Sequence, residues 1–416
     1  MIPLSQFPMT AKRLDRDFPS SGDLSAAKRR KDVDFAAEDT VTVEDDGGAI
    51  NLLSLLLQCA EYVATDHPRE ASTLLSEISE ICSPFGSSPE RVVAYFAQAL
   101  QTRVIRSYLA SASTPLSESP LTVFQSQKIF SALQTFNSVS PLIKFSHFTA
   151  NQAIFQALDG EDSVHIIDLD VMQGLQWPGL FHILASRPRK LRSIRITGFG
   201  SSSDLLASTG RRLADFAASL ALPFEFHPIE GKIGNLIDPS QLGTRPGEAV
   251  VVHWMQHRLY DVTGSDLDAL EILRRLKPNL ITVVEQELSY EDGGSSFLGR
   301  FVEALHYYSA LFDALGDGLG EESGERFTVE QIVLATEIRN IVAHIGNKRR
   351  RRRRWKEELS RVGFRPVSLR GNPAMQAGLL LGMLPWNGYT LVEDDGTLRL
   401  GWKDLTLLTA SAWQSD

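Results

Sequence analysis

Two carboxylates one residue apart, Asp168 and Asp170, stand in a turn that closes on a lone glycine, within VHIIDLDVMQGLQWPGL at residues 164–180. A buried strand running into an acidic turn, a glycine and an amphipathic helix is the usual cradle for nucleotides and S-adenosylmethionine. Glycines there let the backbone approach the ligand closely and set it at a helix N-terminus. The chemistry on offer is that of a methyl donor or a dinucleotide. The sequence departs from that pattern twice. Bulky Val171, Met172 and Gln173 stand beside Gly174, where more glycines are expected. The second strand, RSIRITGFG, ends in Thr197 and Gly198 instead of a carboxylate for the ribose hydroxyls, and Asp204 falls beyond it. The expectation is a crowded turn with no room for a cofactor, and no cofactor.

Other reactive side chains read more plainly. His165 alternates with Ile167 inside the strand, which suits a hydrogen-bonded core histidine better than a catalytic one. His253 and His257 in HWMQH fall four apart, the spacing of two metal ligands on a helix. Yet VVVHWM reads as a strand end and no glutamate lies between them, so no metal is expected. No GxSxG or Walker loop is present. Two cysteines, Cys59 and Cys82, are too few for a disulfide framework or a cysteine zinc site, and fit a reducing compartment.

The elements that must position these residues alternate along the chain. From residue 50 to 158 the text is helical, beginning with AINLLSLLLQCAEYVA, whose polar positions Asn51, Ser54, Gln58 and Glu61 form one narrow stripe. From 159 to 416 short β-branched runs alternate with helices: SVHIID, WPGLFHILAS, LRSIRITGFG, DLLASTGRRLADFAASL, FEFHPI, EAVVVHWM, DLDALEILRRL and NLITVVEQE. That is the texture of βαβ units in a mostly parallel sheet covered by helices. GFRPVSLR, AGLLLGML, YTLVEDDGTLRLGW and LTLLTASAW read as further strands, with a hairpin at Asp395-Gly396.

Composition sets the outer bounds. The 416 residues are 43% hydrophobic and 22% charged, enough for a sizeable core, and no apolar run approaches the ~18 residues of a membrane span. The N-terminus lacks the apolar block of a secretory signal. Residues 1–46, polar and ending in EDDGG, read as a disordered tail. The net charge of −9 argues against bulk attraction to nucleic acid. Basic residues are nevertheless clustered at Lys28, Arg29, Arg30 and Lys31, and at Lys348, Arg349, Arg350, Arg351, Arg352, Arg353 and Arg354, the pattern read by nuclear import receptors.

Taken together, Val164, His165, Ile166, Ile167 and Asp168, followed by LDVMQGLQWPGLFHILASRP, resemble the VHIID hallmark of the GRAS family of plant transcriptional regulators, in its SCARECROW and SCARECROW-like branch. The resemblance runs in order over a domain at 47–416. Leucine-rich helices come first, then the VHIID block, and a second leucine-rich stretch at 209–241. A PFYRE-type region at 250–337 carries Pro278, Phe301 and Tyr307, with Arg339 in the EIRNIVA that follows. A SAW region at 340–416 closes on Ser411, Ala412 and Trp413. HIGNKRRRRRRW is far more basic than the family's usual stretch at that place. The resemblance implies a Rossmann-like, methyltransferase-like α/β core under an N-terminal helical cap at 50–158.

It further implies a nuclear transcriptional regulator of cell-layer patterning that is not an enzyme. Such a protein pairs with a SHORT-ROOT-like GRAS protein and touches DNA mainly through C2H2 zinc-finger proteins. The first helix carries two short interaction patterns. Leu52, Leu55 and Leu56 satisfy LxxLL, and Leu57, Cys59 and Glu61 satisfy LxCxE, which resembles a ligand of retinoblastoma-related proteins. An LxCxE ligand binds extended, with its side chains on one face, whereas on a helix they fan apart, so that helix would have to unwind. The alternative from another class is an S-adenosylmethionine-dependent methyltransferase or other small-molecule-binding enzyme. A third reading, direct DNA binding through residues 348–354, would give salt-sensitive phosphate contacts with little sequence preference.

Overall fold

The computed structural model describes residues 43–111, 123–257, 259, 266–288, 296–320, 322–343, 355–383 and 388–415. Both basic runs, and the expected tail up to residue 42, lie outside them. The first helix, α1 (Val43–Ala64), opens inside the stretch read as tail.

Helices α2 (Pro68–Ile81), α3 (Ser88–Ser111), α4 (Val123–Val139) and α5 (Pro141–Ala157) follow. Ser140 caps α5, its hydroxyl accepting from the Leu142 amide at 3.4 Å, with Pro141 at the first helical position. The alternating half then supplies β1 (Ser163–Asp168), α6 (Trp177–Ala185), β2 (Ser193–Gly200), α7 (Ser203–Ser219), β3 (Phe224–Glu230), β4 (Ala249–Met255), α8 (Asp266–Leu276) and β5 (Leu280–Gln286). Next come α9 (Phe297–Gly318) and α10 (Gly324–Thr328), which passes through a π-helical turn at Val329–Leu334 into α11 (Ala335–Val342). The chain continues with α12 (Trp355–Arg361), β6 (Phe364–Val367), α13 (Asn372–Gly382), β7 (Tyr389–Asp394), β8 (Thr397–Trp402) and β9 (Leu405–Ser415).

The strands form one nine-stranded sheet in the order β3-β2-β1-β4-β5-β9-β8-β7, with β6 also on β9. β1 to β5 are parallel, and β9 lies antiparallel to β5, β8 and β6. The order reverses direction between β1 and β4, which makes their carboxyl ends the topological switch point where open α/β sheets bind ligands. Strand β1 is buried along its whole length, and its side chains alternate between two cores. Val164 and Ile166 join the larger one, which continues without a break into the helical layer. Ile167 joins a second core on the other sheet face, with Trp254, Leu270 and Trp413.

The helical layer draws on both halves of the chain. α9 and α11 pack on α3, and α4 packs on the π turn, so residues from the PFYRE-type region complete the layer begun at residues 50–158. One expected strand is a helix. AGLLLGML lies mostly in α13, whose Ala377 and Leu380 are buried three apart while Met375 and Leu379 stay exposed. A helical period had been hidden in a short apolar run, and the Gly371-Asn372-Pro373 start was its signal. The Asp395-Gly396 hairpin is as expected, both residues holding positive φ, 47° and 76°.

Candidate functional site

The turn after β1 is held down on its β2 side. Asp168 accepts from the Trp177 indole at 2.9 Å and from the Asp170 amide at 3.2 Å. The Val171 amide then donates to the Phe199 carbonyl at 3.0 Å, tying the turn to the end of β2. Val171 is 3% exposed and sits so close to Gly198 that a Cβ there would lie 2.9 Å from its methyl group. Met172 holds a positive φ of 43°, and its carbonyl accepts from Thr209 of α7 at 2.9 Å. Gly174, with φ 61°, lies against Thr209 and Leu213, and the Gln173 carbonyl accepts from Arg212. A nucleoside's ribose would need this crevice and a carboxylate at the end of β2, but finds Val171 and the run Thr197, Gly198, Phe199, Gly200. The residues present do not fit S-adenosylmethionine or a dinucleotide in that slot.

The other side of the turn is open, which corrects the expectation of a crevice with no room. A cavity lies at the switch point, between the ends of β1, β4 and β5 and the helices above them. Asp168, Asp170 and Met172 reach it from β1 and its turn, His253 and His257 from β4 and the residues after it, and Gln286 from β5. Val171, packed against Gly198, and Gly174 stand on the edge of the same cavity, so the turn is crowded toward β2 and open toward the helices.

Burial shifts the titrating groups of this region strongly. Burial pushes the Asp168 carboxyl up to about 7, and the Asp170 charge pushes the same way, against the hydrogen bonds from Trp177 and the Asp170 amide. Burial holds the His253 imidazole down to about 3, with nearby His147 adding to it. His253 Nδ1 lies 2.9 Å from Thr282 Oγ1, and its ring meets Trp177 edge-on with centroids 5.7 Å apart. His257 Nε2 pairs with Asp170 at 2.7 Å. The two histidines of HWMQH thus have separate partners, and among the described residues no group of three His, Cys, Asp or Glu is placed to hold a metal. His147 of α5 is hemmed in on every side and held down to about 4 by burial, yet keeps some accessible surface because it faces the cavity.

His165 points to the opposite sheet face. Nε2 lies 2.7 Å from Thr197 Oγ1, and Nδ1 accepts from Arg195 at 3.1 Å, which fixes the proton on Nε2. Arg195 also pairs with Glu248 at 2.5 Å. Burial first, and then the Arg195 charge, holds His165 down to about 3. It is the core histidine that its alternation with Ile167 suggested.

The motifs on α1 are divided by burial. Leu52 and Leu56 face the interior and Leu55 is half-buried. Cys59 is fully buried, its thiol donating to the Ala71 carbonyl at 3.6 Å, while Leu57 is half-buried and Glu61 exposed. The LxCxE side chains therefore do not share a face. Of the PFYRE-type residues, the Pro278 carbonyl accepts from Ser415, Phe301 is core, and Tyr307 donates to the Leu407 carbonyl at 3.1 Å. Arg339 is exposed and donates to Thr336 at 3.2 Å. Sequence reasoning missed Glu337, which accepts from both Gln286 Nε2 at 3.1 Å and Tyr308 at 3.0 Å and so joins α9, α11 and β5. A buried glutamate beside Ile338 in EIRNIVA was the available signal.

These features define a class: an α/β fold with a mostly parallel sheet, crowded after its first strand and roofed by helices. Comparison with known proteins gives the family. The GRAS domain family model matches residues 52–414, and the chain belongs to that family. It is 87% identical to Scarecrow-like protein 23 of Arabidopsis thaliana over 98% of this chain and 99% of that protein. It is 57% identical to Protein SCARECROW of the same plant over 89% of this chain, which spans 56% of that longer protein. The crystal structure of SCL7 from Oryza sativa matches with a TM-score of 0.72 at 34% identity, covering 87% of this chain and 99% of that one. The chain is thus a SCARECROW-like transcriptional regulator of plant development. Among its described residues no helix is long and apolar enough to cross a membrane.

Proposed function

We propose that the protein acts in the nucleus by docking other proteins and not by catalysis. It pairs with a SHORT-ROOT-like GRAS protein through its helical layer, and C2H2 zinc-finger partners supply most of the DNA contact. The observation that supports this reading is Val171 seated against Gly198, which crowds the place where a nucleoside's ribose would lie. The docking surface is the outer edge of α1. Ile50 is 65% exposed, Leu53 and Leu57 lie on the same edge half-buried, and their spacing of three and four residues makes one apolar strip. Leu52 and Leu56, which the LxxLL pattern would offer, support the helix from below. A retinoblastoma-related partner could take the LxCxE residues only from an unwound α1.

The test is a pair of measurements on the full chain. Ile50→Asp with Leu53→Asp should weaken association with a SHORT-ROOT-like protein at least about tenfold, equivalent to ~1.4 kcal/mol, with an unchanged circular dichroism melt. Undiminished association would refute the α1 edge as the docking surface. Calorimetry with S-adenosylmethionine should show no saturable heat, and saturation at micromolar concentration would restore the enzyme reading.

A further inference from the structure

The cavity at the switch point has a chemistry of its own. It measures about 110 Å³, counted as room for water centres. One water needs only about 10–15 Å³ on that measure, so the space exceeds a solvent site. Its walls are largely apolar, with Phe136 of α4, Ile143 of α5, Met172 of the β1 turn, Leu311 of α9 and Val333 of the π turn. Among the described residues no lysine or arginine lines it. Its carboxylates already hold protein donors: Asp168 the Trp177 indole, Asp170 the His257 ring, Glu337 the Gln286 amide and the Tyr308 hydroxyl.

Two polar groups on the wall remain open. Gln286 Oε1 is buried without a hydrogen-bond partner. Its orientation is fixed, because a flipped amide would set oxygen against the Glu337 carboxylate. The His147 ring makes no hydrogen bond among the described residues. A phosphate or carboxylate would find no cation here and would face three carboxyl groups. A wholly apolar molecule would leave an acceptor and an imidazole dry. A hydroxyl can donate to one and exchange hydrogen bonds with the other.

We propose that this cavity binds a neutral, largely apolar small molecule bearing hydroxyl groups, held between the strand ends of the sheet and the helices that roof it. Such a ligand touches β1, β4 and β5 on one side and α4, α5, α9 and the π turn on the other. It fastens the two layers together at the place where catalytic relatives of the fold do chemistry.

The probes are 2-naphthalenemethanol and its anionic analogue 2-naphthoate, titrated by calorimetry into the full-length protein. The alcohol should bind saturably at one site and raise the melting temperature, and 2-naphthoate, which would face three carboxyl groups, should bind at least about tenfold more weakly. His147→Phe should melt no lower than wild type, since the ring gives up no hydrogen bond to the described residues, yet bind the alcohol at least about tenfold more weakly. A purely structural histidine would not give that opposition. Leu133→Trp, placed at a half-buried wall position on α4, should abolish binding by filling the space. No binding of the alcohol, equal binding of naphthoate, or undiminished binding in both variants overturns the proposal.

Discussion

Asp168 is a buried hydrogen-bond acceptor for Trp177, and burial lifts it to about 7. The unfolded carboxyl titrates near ~3.9, so the folded form holds its proton over a range in which the unfolded chain has lost it. Stability from this group is complete below pH ~4 and is lost as pH rises toward 7. Asp168→Asn removes the charge facing Asp170 but keeps only one of the two acceptor oxygens, so its NH2 meets either the Trp177 indole or the Asp170 amide, a cost that does not depend on pH. Its stability relative to wild type should rise by about 2–4 kcal/mol between pH 4 and pH 8, read from thermal melts across that range. A difference from wild type that stays constant with pH would show that Asp168 is not the titrating group. The residue types at this turn were legible in the sequence. The direction in which Val171 turns was not, because it depends on Gly198, 27 residues further along the chain in another strand.

At the scale of the element, α1 carries a motif in the wrong conformation for its ligand role. The Cys59 thiol is fully enclosed and pushed up to about 12 by burial, while Cys82 is only partly covered. Iodoacetamide should therefore label Cys82 in the native protein and reach Cys59 only when α1 opens. Equal labelling of both at native pH would mean that α1 unwinds readily and that the LxCxE residues are on offer. Strands β1, β2, β4 and β5 were legible because β-branched runs are set between helical stretches. α13 was not, since LLL reads equally as strand or helix, and only its Pro373 start and its packing on α5 decide. The cavity was illegible for a related reason. Its wall gathers Phe136, His147, Met172, Gln286 and Leu311 from five separate segments, and no local pattern announces such a meeting.

The whole molecule joins a helical layer to a sheet through one continuous apolar core. Its net charge of −9 coexists with two dense basic runs, and the charge contrast suits recognition by import receptors better than broad DNA binding. Replacing Lys28–Lys31 and Lys348–Arg354 with alanine should shift the protein toward the cytoplasm when it is expressed without a nuclear partner. Unchanged nuclear accumulation under those conditions would remove import from their role. The change from helical text to alternating strands and helices was legible along the chain, but the return of α9 to α11 onto α3 and α4 was not, because those contacts join segments far apart in sequence. The place of β9 carries a last consequence. β5 gains its second neighbour only when residues 405–415 arrive antiparallel beside it. Until then a nascent chain leaving the ribosome shows an unfinished, strongly apolar strand edge, the kind that invites mispairing. Chaperones that shield such edges have the whole span from β5 to β9 in which to act, and a premature stop codon before β9 yields a product that quality control should remove.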